Sequence, residues 1–212
     1  MVCAPPPPSA STRTLVFARA PVPGQVKTRL IPALGAAGAA ALHQRLTEQL
    51  LERLCVAPVG PTELWVTPDT RHPFFIDQAQ RWNIGLYPQQ GVDLGARLHY
   101  AAGQALTRAR SVILVGTDCP ALDAGYIRAA AARLRVDDAV IGPAADGGYV
   151  LLGLCRTDPQ LFSSIPWGTA AVARLTRTRL VALGWRFSEL ETLADIDRPE
   201  DLALLHHDIP LR

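Results

Sequence analysis

One lysine, Lys27, stands among 21 basic side chains; the other 20 are arginine. A chain that fills its ordinary cationic positions with guanidinium and keeps one ammonium points to a place that needs a compact charge rather than a planar fork. Lys27 lies in residues 21–30, PVPGQVKTRL. Two prolines and Gly24 fix that stretch as an irregular loop whose backbone N–H groups can approach phosphate closely. Lys27 and Arg29 would neutralise di- or triphosphate oxygens there, with Thr28 as a further donor. The alternative is a proline-rich loop bearing ordinary surface cations. A P-loop is disfavoured, because GxxxxGK[ST] needs a glycine before the lysine and Val26 occupies that place.

Carboxylates supply the complementary chemistry. Asp118, in GTDCP (residues 116–120), falls just past an apolar run that reads as a buried strand. There it can reach a hard cation such as Mg²⁺ or Mn²⁺. A turn aspartate capping the next helix is the alternative, but Asp123 already fits that cap. Cys119 reads as packing rather than as a nucleophile, since no histidine lies near it in sequence. Residues 142–149, GPAADGGY, leave two readings open. Asp-Gly-Gly makes a good hairpin turn, and it equally provides flexible backbone closing on an acceptor, with Asp146 on ligand or metal. In residues 194–202, ADIDRPEDL, Asp195 and Asp197 point to one face if the backbone is extended. Asp197 can also cap the last helix, whereas Asp195 has no such local use. Asp93, in QGVDLG (residues 90–95), is the weakest candidate and can be a helix cap alone.

Positioning these residues requires strands that end where the loops begin. Residues 14–20 (TLVFARA) read as a strand closed by Pro21, and residues 63–67 and 84–87 as two more. SVILVG (111–116) has the continuous apolar character of a buried strand, followed by strands at 139–142 and 149–154. Helices are expected over 35–56, 72–82, 94–109, 123–135, 170–183 and 199–207, the last opened by Pro199. Strands separated by helices of this length predict one α/β domain with a mostly parallel sheet. The polar, glycine-rich segments fall after successive strands, where such folds bind ligands.

Composition sets the outer limits. With 212 residues, 49% hydrophobic and 19% charged, the chain is a folded globule of one domain. No run approaches ~18 uncharged apolar residues, which excludes a membrane-spanning helix. The N-terminal sequence lacks the pattern of a secretory signal, and residues 1–13, with four consecutive prolines, read as a flexible tail before a domain at 14–208. Four scattered cysteines fit reduced thiols in a cytoplasm. A net charge of +2 argues against a general nucleic-acid binder. That charge is unevenly spread: no acid precedes Glu48, while seven fall from Glu189 onward. Basic residues facing an anionic ligand and acids holding its metal would use this asymmetry, and solvated surface charge would produce it too.

Taken together, FARAPVPGQVKTRL, QGVDLGARL, GTDCPAL, GPAADGGYVLLGL, IPWGT and DIDRPEDL occur in an order that resembles one group of the nucleotide-diphospho-sugar transferase superfamily. That group has a glycosyltransferase-A (GT-A) type fold and is linked to arsenosugar or radical-SAM gene clusters; phospholactate guanylyltransferase is a distant relative. The likeness spans residues 14–205. It implies nucleotide binding by Ala18, Pro23, Gly24, Lys27, Arg29, Asp93 and Thr117. It further implies a divalent cation, Mg²⁺ or Mn²⁺, on Asp118, Asp195 and Asp197, and an acceptor beside Gly147, Gly148 and Tyr149. Lys27, Asp118 and Asp146 are the catalytic candidates. The loop departs from that of the nucleotidyltransferases, which carries several glycines and an arginine before its lysine.

The expected function is therefore metal-dependent transfer from a nucleotide-activated donor to a small-molecule acceptor, by a monomer or homodimer. Glycosyl transfer from a nucleoside-diphosphate sugar leads. Nucleotidyl transfer with pyrophosphate release and a non-catalytic nucleotide-binding role are the alternatives. A metal-independent hydrolase is disfavoured by the absence of GxSxG and of a histidine near any of these segments.

Overall fold

The computed structural model describes residues 9–207. Seven strands form one sheet: β1 (Ser9–Arg19), β2 (Thr62–Thr67), β3 (Gly85–Pro88), β4 (Ala109–Val115), β5 (Ala139–Pro143), β6 (Tyr149–Leu154) and β7 (Phe187–Glu189). Their order across the sheet is β3-β2-β1-β4-β6-β5-β7. β6 pairs antiparallel with both neighbours, and the remaining pairs are parallel. The expected α/β fold with a mostly parallel sheet is therefore present, and the other six strands all deliver their carboxyl ends to one edge.

Both faces of the sheet are covered, which explains the continuous apolar runs. Side chains alternate along each strand, so one face collects Val16, Ile113 and Val115 and the other collects Leu15, Val112 and Leu114. The first face packs on α1 (Ile31–Val56), α2 (Pro73–Trp82) and α4 (Ala124–Arg133). The second packs on α3 (Leu94–Leu106), α5 (Pro159–Phe162) and α6 (Val172–Ala182). Leu42, Leu46, Leu50 and Leu54 are buried along α1 as their spacing predicts. A third, smaller core joins Leu42 and Leu46 to Ile196 and Leu205. This cluster clamps the C-terminal segment onto α1. Among the described residues no helix is long and apolar enough to cross a membrane.

Several boundaries differ from the sequence reading for physical reasons. β1 begins at Ser9, so residues 9–13 belong to the sheet rather than to a tail; residues 1–8 of that expected tail lie outside the described residues. Helix α1 includes residues 31–34 because a kink at Gly35 (φ 69°) joins an extra turn to the expected helix. The helix expected over 94–109 ends at Leu106, and Ala109 opens β4 instead, pairing beside β1. The last segment, Pro199–His207, winds as a 3₁₀-helix rather than an α-helix.

Arg13 shows why the early strand start matters. Its Nη1 lies 2.8 Å from Oε1 of Glu63, a carboxylate whose side chain is only 2% exposed. Arg108 Nη2 stands 3.2 Å from the same oxygen, and the Trp65 indole donates to Oε2 at 3.1 Å. Removing one partner of a buried carboxylate leaves charge uncompensated. With Arg108 still in place, Arg13→Ala should lower stability by about 1–3 kcal/mol. Urea unfolding should show a lower midpoint with an unchanged m-value. A tail residue would give no measurable change.

Candidate functional site

Every chemistry-bearing segment except Asp93's helix cap converges where β1 and β4, two adjacent parallel strands, send their chains in opposite directions. Such a switch point leaves a crevice outside the strand ends. The loop after β1 carries Lys27 in the left-handed region, φ 46° and ψ 43°. That conformation costs a non-glycine residue roughly 1 kcal/mol or more. It turns the side chain inward, where it is 2% exposed. Lys27 Nζ lies 2.7 Å from Asp118 Oδ1 and donates to the Ile196 carbonyl at 2.5 Å. One ammonium thus ties together the loops after β1, β4 and β7. The alternative of an ordinary surface cation does not hold for Lys27, which is buried.

Asp118 itself is two-sided. Its Oδ1 is shut from solvent against Lys27, while the side chain as a whole remains 47% exposed, so the open surface belongs to the rest of the carboxylate. Burial pushes its carboxyl upward, but the Lys27 ammonium and the nearby His43 ring outweigh that and hold it well below the usual carboxylate range. His43 was invisible to the sequence reading because it lies on α1, far from every motif. Its Nδ1 sits 3.8 Å from Asp118 Oδ1, and its Nε2–H donates to the Arg19 carbonyl at 2.9 Å. The buried run of α1 residues 39, 40, 42 and 43 was the available signal: a polar residue on an apolar helical stripe. Arg53, one helical stripe further on, donates to the Pro120 carbonyl and braces the same loop.

Buried Ile196 anchors the other carboxylates. Ile196 N–H donates to the Asp118 carbonyl at 2.9 Å, and its side chain is wholly buried against α1. Asp195 and Asp197 flank it. Asp197 pairs with Arg29. The turn that Asp197 could have capped is capped by Asp201, whose Oδ2 accepts from the N–H groups of residues 197 and 198 at 3.0 and 2.7 Å. Asp195 is raised to about 6 by partial burial first, then by the like charges of Asp146, Asp118 and Asp197. Among the described residues, no three His, Cys, Asp or Glu side chains gather closely enough to hold a metal by themselves.

The remaining sequence candidates divide. Asp93 caps α3, accepting from Ala96 N–H at 2.8 Å, and Asp123 caps α4 as predicted. Pro23 and Gly24 are exposed on the loop, Thr117 is buried beneath it, and Ala18 lies inside the sheet with its carbonyl accepting from Gln89. Burial pushes the Cys119 thiol up to about 11, which suits packing and not nucleophilic attack. Residues 144–148 do form the β5–β6 hairpin turn, with Asp146 Oδ1 accepting from Gly148 N–H at 2.8 Å. Gly147 (φ 90°) is required: a Cβ there would meet the Ala170 carbonyl oxygen at 2.5 Å. Its carbonyl accepts from Ala173 N–H at 3.0 Å. Beside this turn opens a pocket of about 210 Å³ with walls that include Phe17, Leu98, Tyr149 and Trp167 and with Asp146 and Asp195 among its lining.

Two outcomes follow from this electrostatic layout. Lys27→Met should cost about 1–3 kcal/mol, because Asp118 keeps its half-buried position without its cation. Adding Asp118→Asn should recover part of that loss in a double-mutant cycle of denaturant unfolding. For Asp195, a raised carboxyl means that stability is full below the ordinary carboxylate range and declines as pH rises through about 6. Asp195→Asn should therefore match the parent below about pH 4 and exceed it above pH 6, by on the order of 1 kcal/mol after solvent screening. Melting temperatures across that range read the difference directly.

Comparison with known proteins bears on the fold and the family. Residues 50–169 match the family described as "Uncharacterized protein conserved in bacteria (DUF2064)". A search of curated proteins finds no match. The chain is similar to a Desulfovibrio desulfuricans G20 protein provisionally assigned as a nucleotide-diphospho-sugar transferase. Identity is 30%, coverage is 92% of this chain and 85% of that one, and the TM-score is 0.83. A cytidylyltransferase from Leptospira borgpetersenii shares the fold at 13% identity, with 94% and 88% coverage and a TM-score of 0.59. So does glucosyl-3-phosphoglycerate synthase from Mycobacterium tuberculosis, solved with Mn²⁺, UDP and glucosyl-3-phosphoglycerate, at 12% identity, 92% and 75% coverage and a TM-score of 0.54. By the matched segment and by the likeness along nearly its whole length, the chain belongs to the DUF2064 family, built on the fold of the nucleotide-diphospho-sugar transferases.

Proposed function

We propose that the protein is a transferase that takes a nucleotide-activated donor at the β1–β4 crevice and passes its group to a small molecule in the adjoining pocket. The observation that carries this reading is the meeting of the chain's one lysine with Asp118 at the switch point, 2.7 Å apart. Cation and carboxylate there serve opposite parts of a metal–diphosphate pair. Two of the three Lys27 ammonium hydrogens face Asp118 and the Ile196 carbonyl, and a phosphate oxygen would meet the third once a donor with its cation competes for Asp118 and opens the buried ammonium. Arg29, 53% exposed, can add a second contact by leaving Asp197. Pro23 and Gly24 shape the loop that covers the phosphates, and Thr117 borders the nucleotide.

A divalent cation suits the carboxylates. Mg²⁺ is commonly held by one or two carboxylates together with substrate phosphates and water, which suits Asp118 and Asp195, since no three such ligands cluster among the described residues. Bound there, Mg²⁺ or Mn²⁺ would offset charge on the departing diphosphate. Asp197 would stay available once Arg29 turned to the donor.

Glycosyl transfer is the reading favoured by the 30%-identical relative's assignment. The acceptor oxygen bonds to the anomeric carbon, and the bond from that carbon to the phosphate oxygen breaks. The nucleoside diphosphate leaves with the electron pair, and the acceptor proton passes to Asp146 at the pocket mouth. Lys27 and Arg29 stabilise the departing charge, an interaction that strengthens as the bond breaks. The same cationic loop can take a triphosphate, so nucleotidyl transfer with pyrophosphate release is the second reading.

A thermal-shift and calorimetry series with nucleoside triphosphates and nucleotide sugars tests the donor class. A hundredfold excess over Kd should raise Tm by about 5–10 °C, and only when metal and nucleotide are both present. Asp118→Asn should remove the metal-dependent part of that shift and lower turnover by about 10²-fold or more. Metal binding of equal strength without nucleotide, or full metal-dependent activity in Asp118→Asn, would overturn the assignment. A shift confined to triphosphates would select nucleotidyl transfer.

A further inference from the structure

The pocket beside the hairpin turn has an unusual charge inventory for a site expected to hold metabolites. Among its described lining residues the charged side chains are Asp146 and Asp195, and there is no lysine, arginine or histidine. This is so in a chain with 21 basic residues. The cations of the site, Lys27 and Arg29, are paired with Asp118 and Asp197 and do not line this pocket. A phosphate or carboxylate entering here would meet no basic side chain, and with Asp195 turned to the donor's cation it would still face Asp146, which is a penalty for binding rather than a neutral contact.

The walls point the same way. Phe17, Leu98, Leu114, Tyr149, Trp167 and Val172 make the interior largely apolar. At about 210 Å³ the space exceeds the ~150 Å³ that accommodates benzene in an engineered cavity. Tyr149 adds one polar feature: its hydroxyl is buried without a hydrogen-bond partner, and its ring stands edge-on to Trp167 at 6.3 Å. An unmade hydrogen bond of this kind is costly, and an entering hydroxyl or amine that displaced Trp167 slightly would complete it.

Resting on the reading of this pocket as the acceptor side, we infer that the acceptor is an uncharged or cationic molecule with an apolar body and a hydroxyl or amine, and that phosphorylated and carboxylated acceptors are rejected. Selectivity comes from the carboxylates at the mouth, and affinity from the aromatic and aliphatic walls.

Three probes with one apolar body isolate the charge: phenethyl alcohol, phenethylamine and phenethyl phosphate. Each is titrated into isotope-labelled, metal-free protein, with the Trp167 indole resonance reporting the pocket. The alcohol and the amine should shift that resonance, and the phosphate should bind about tenfold or more weakly. Leu94→Arg, at a pocket-lining position that is 40% exposed, should close or reverse the gap without disturbing the core. Equal or tighter binding of the phosphate by the parent protein would overturn the inference, as would the absence of any Trp167 shift with the alcohol and the amine. Nucleotide affinity of the same protein after Mg²⁺ is restored separates the two claims. Pocket selectivity without nucleotide binding removes the donor reading alone. Phosphate preference with intact nucleotide binding removes this inference alone.

Discussion

One ammonium group sets the geometry of the whole strand-end surface. Lys27 reaches inward from a left-handed backbone to a carboxylate beyond β4 and a carbonyl beyond β7. Three loops that diverge from the sheet are thereby closed on one another. A guanidinium would need more room and a planar approach, which accounts for lysine at this position in a chain otherwise committed to arginine. The pairing is also a compromise. A charge buried for internal support is withheld from ligand until something of greater charge competes for it, and a diphosphate with its cation has that capacity.

Support for this arrangement comes from two directions. From below, the doubly covered sheet fixes where β1 and β4 end, with Ile113 and Leu114 looking to opposite cores. From the side, α1 presents His43 and Arg53 to the loop after β4 and Leu42 and Leu46 to Ile196. A single helix therefore orients both halves of the acidic site. Asp195 and Asp197 are displayed because the residue between them is swallowed by the core, an alternation that extended backbone supplies without further design.

Much of this was legible in the residues. Apolar runs located the strands, and polar loops after them located the site, because a parallel sheet forces both to one edge. Asp118, Asp146 and Asp195 were recognisable as polar residues in the loops that follow strands, and the structure brings Asp118 and Asp146 within electrostatic reach of Asp195. What escaped were relations set by tertiary packing alone. His43 is unremarkable in sequence, since helix α1 must first be laid across the strand ends before it faces Asp118. Lys27 read as a loop cation facing phosphate, and its burial against Asp118 escaped because nothing local reveals its left-handed turn. Residues 9–13 read as tail because their strand character depends on β4 lying alongside and on Glu63 waiting for Arg13.

Gly147 carries a mechanical consequence. Its lack of a side chain lets the hairpin turn press against Ala170, and its carbonyl holds Ala173 at the start of α6. The turn bearing Asp146 and the segment bearing Trp167 are thus riveted together. Any displacement of one would carry the other, so the pocket wall and the carboxylate at its mouth share a single joint.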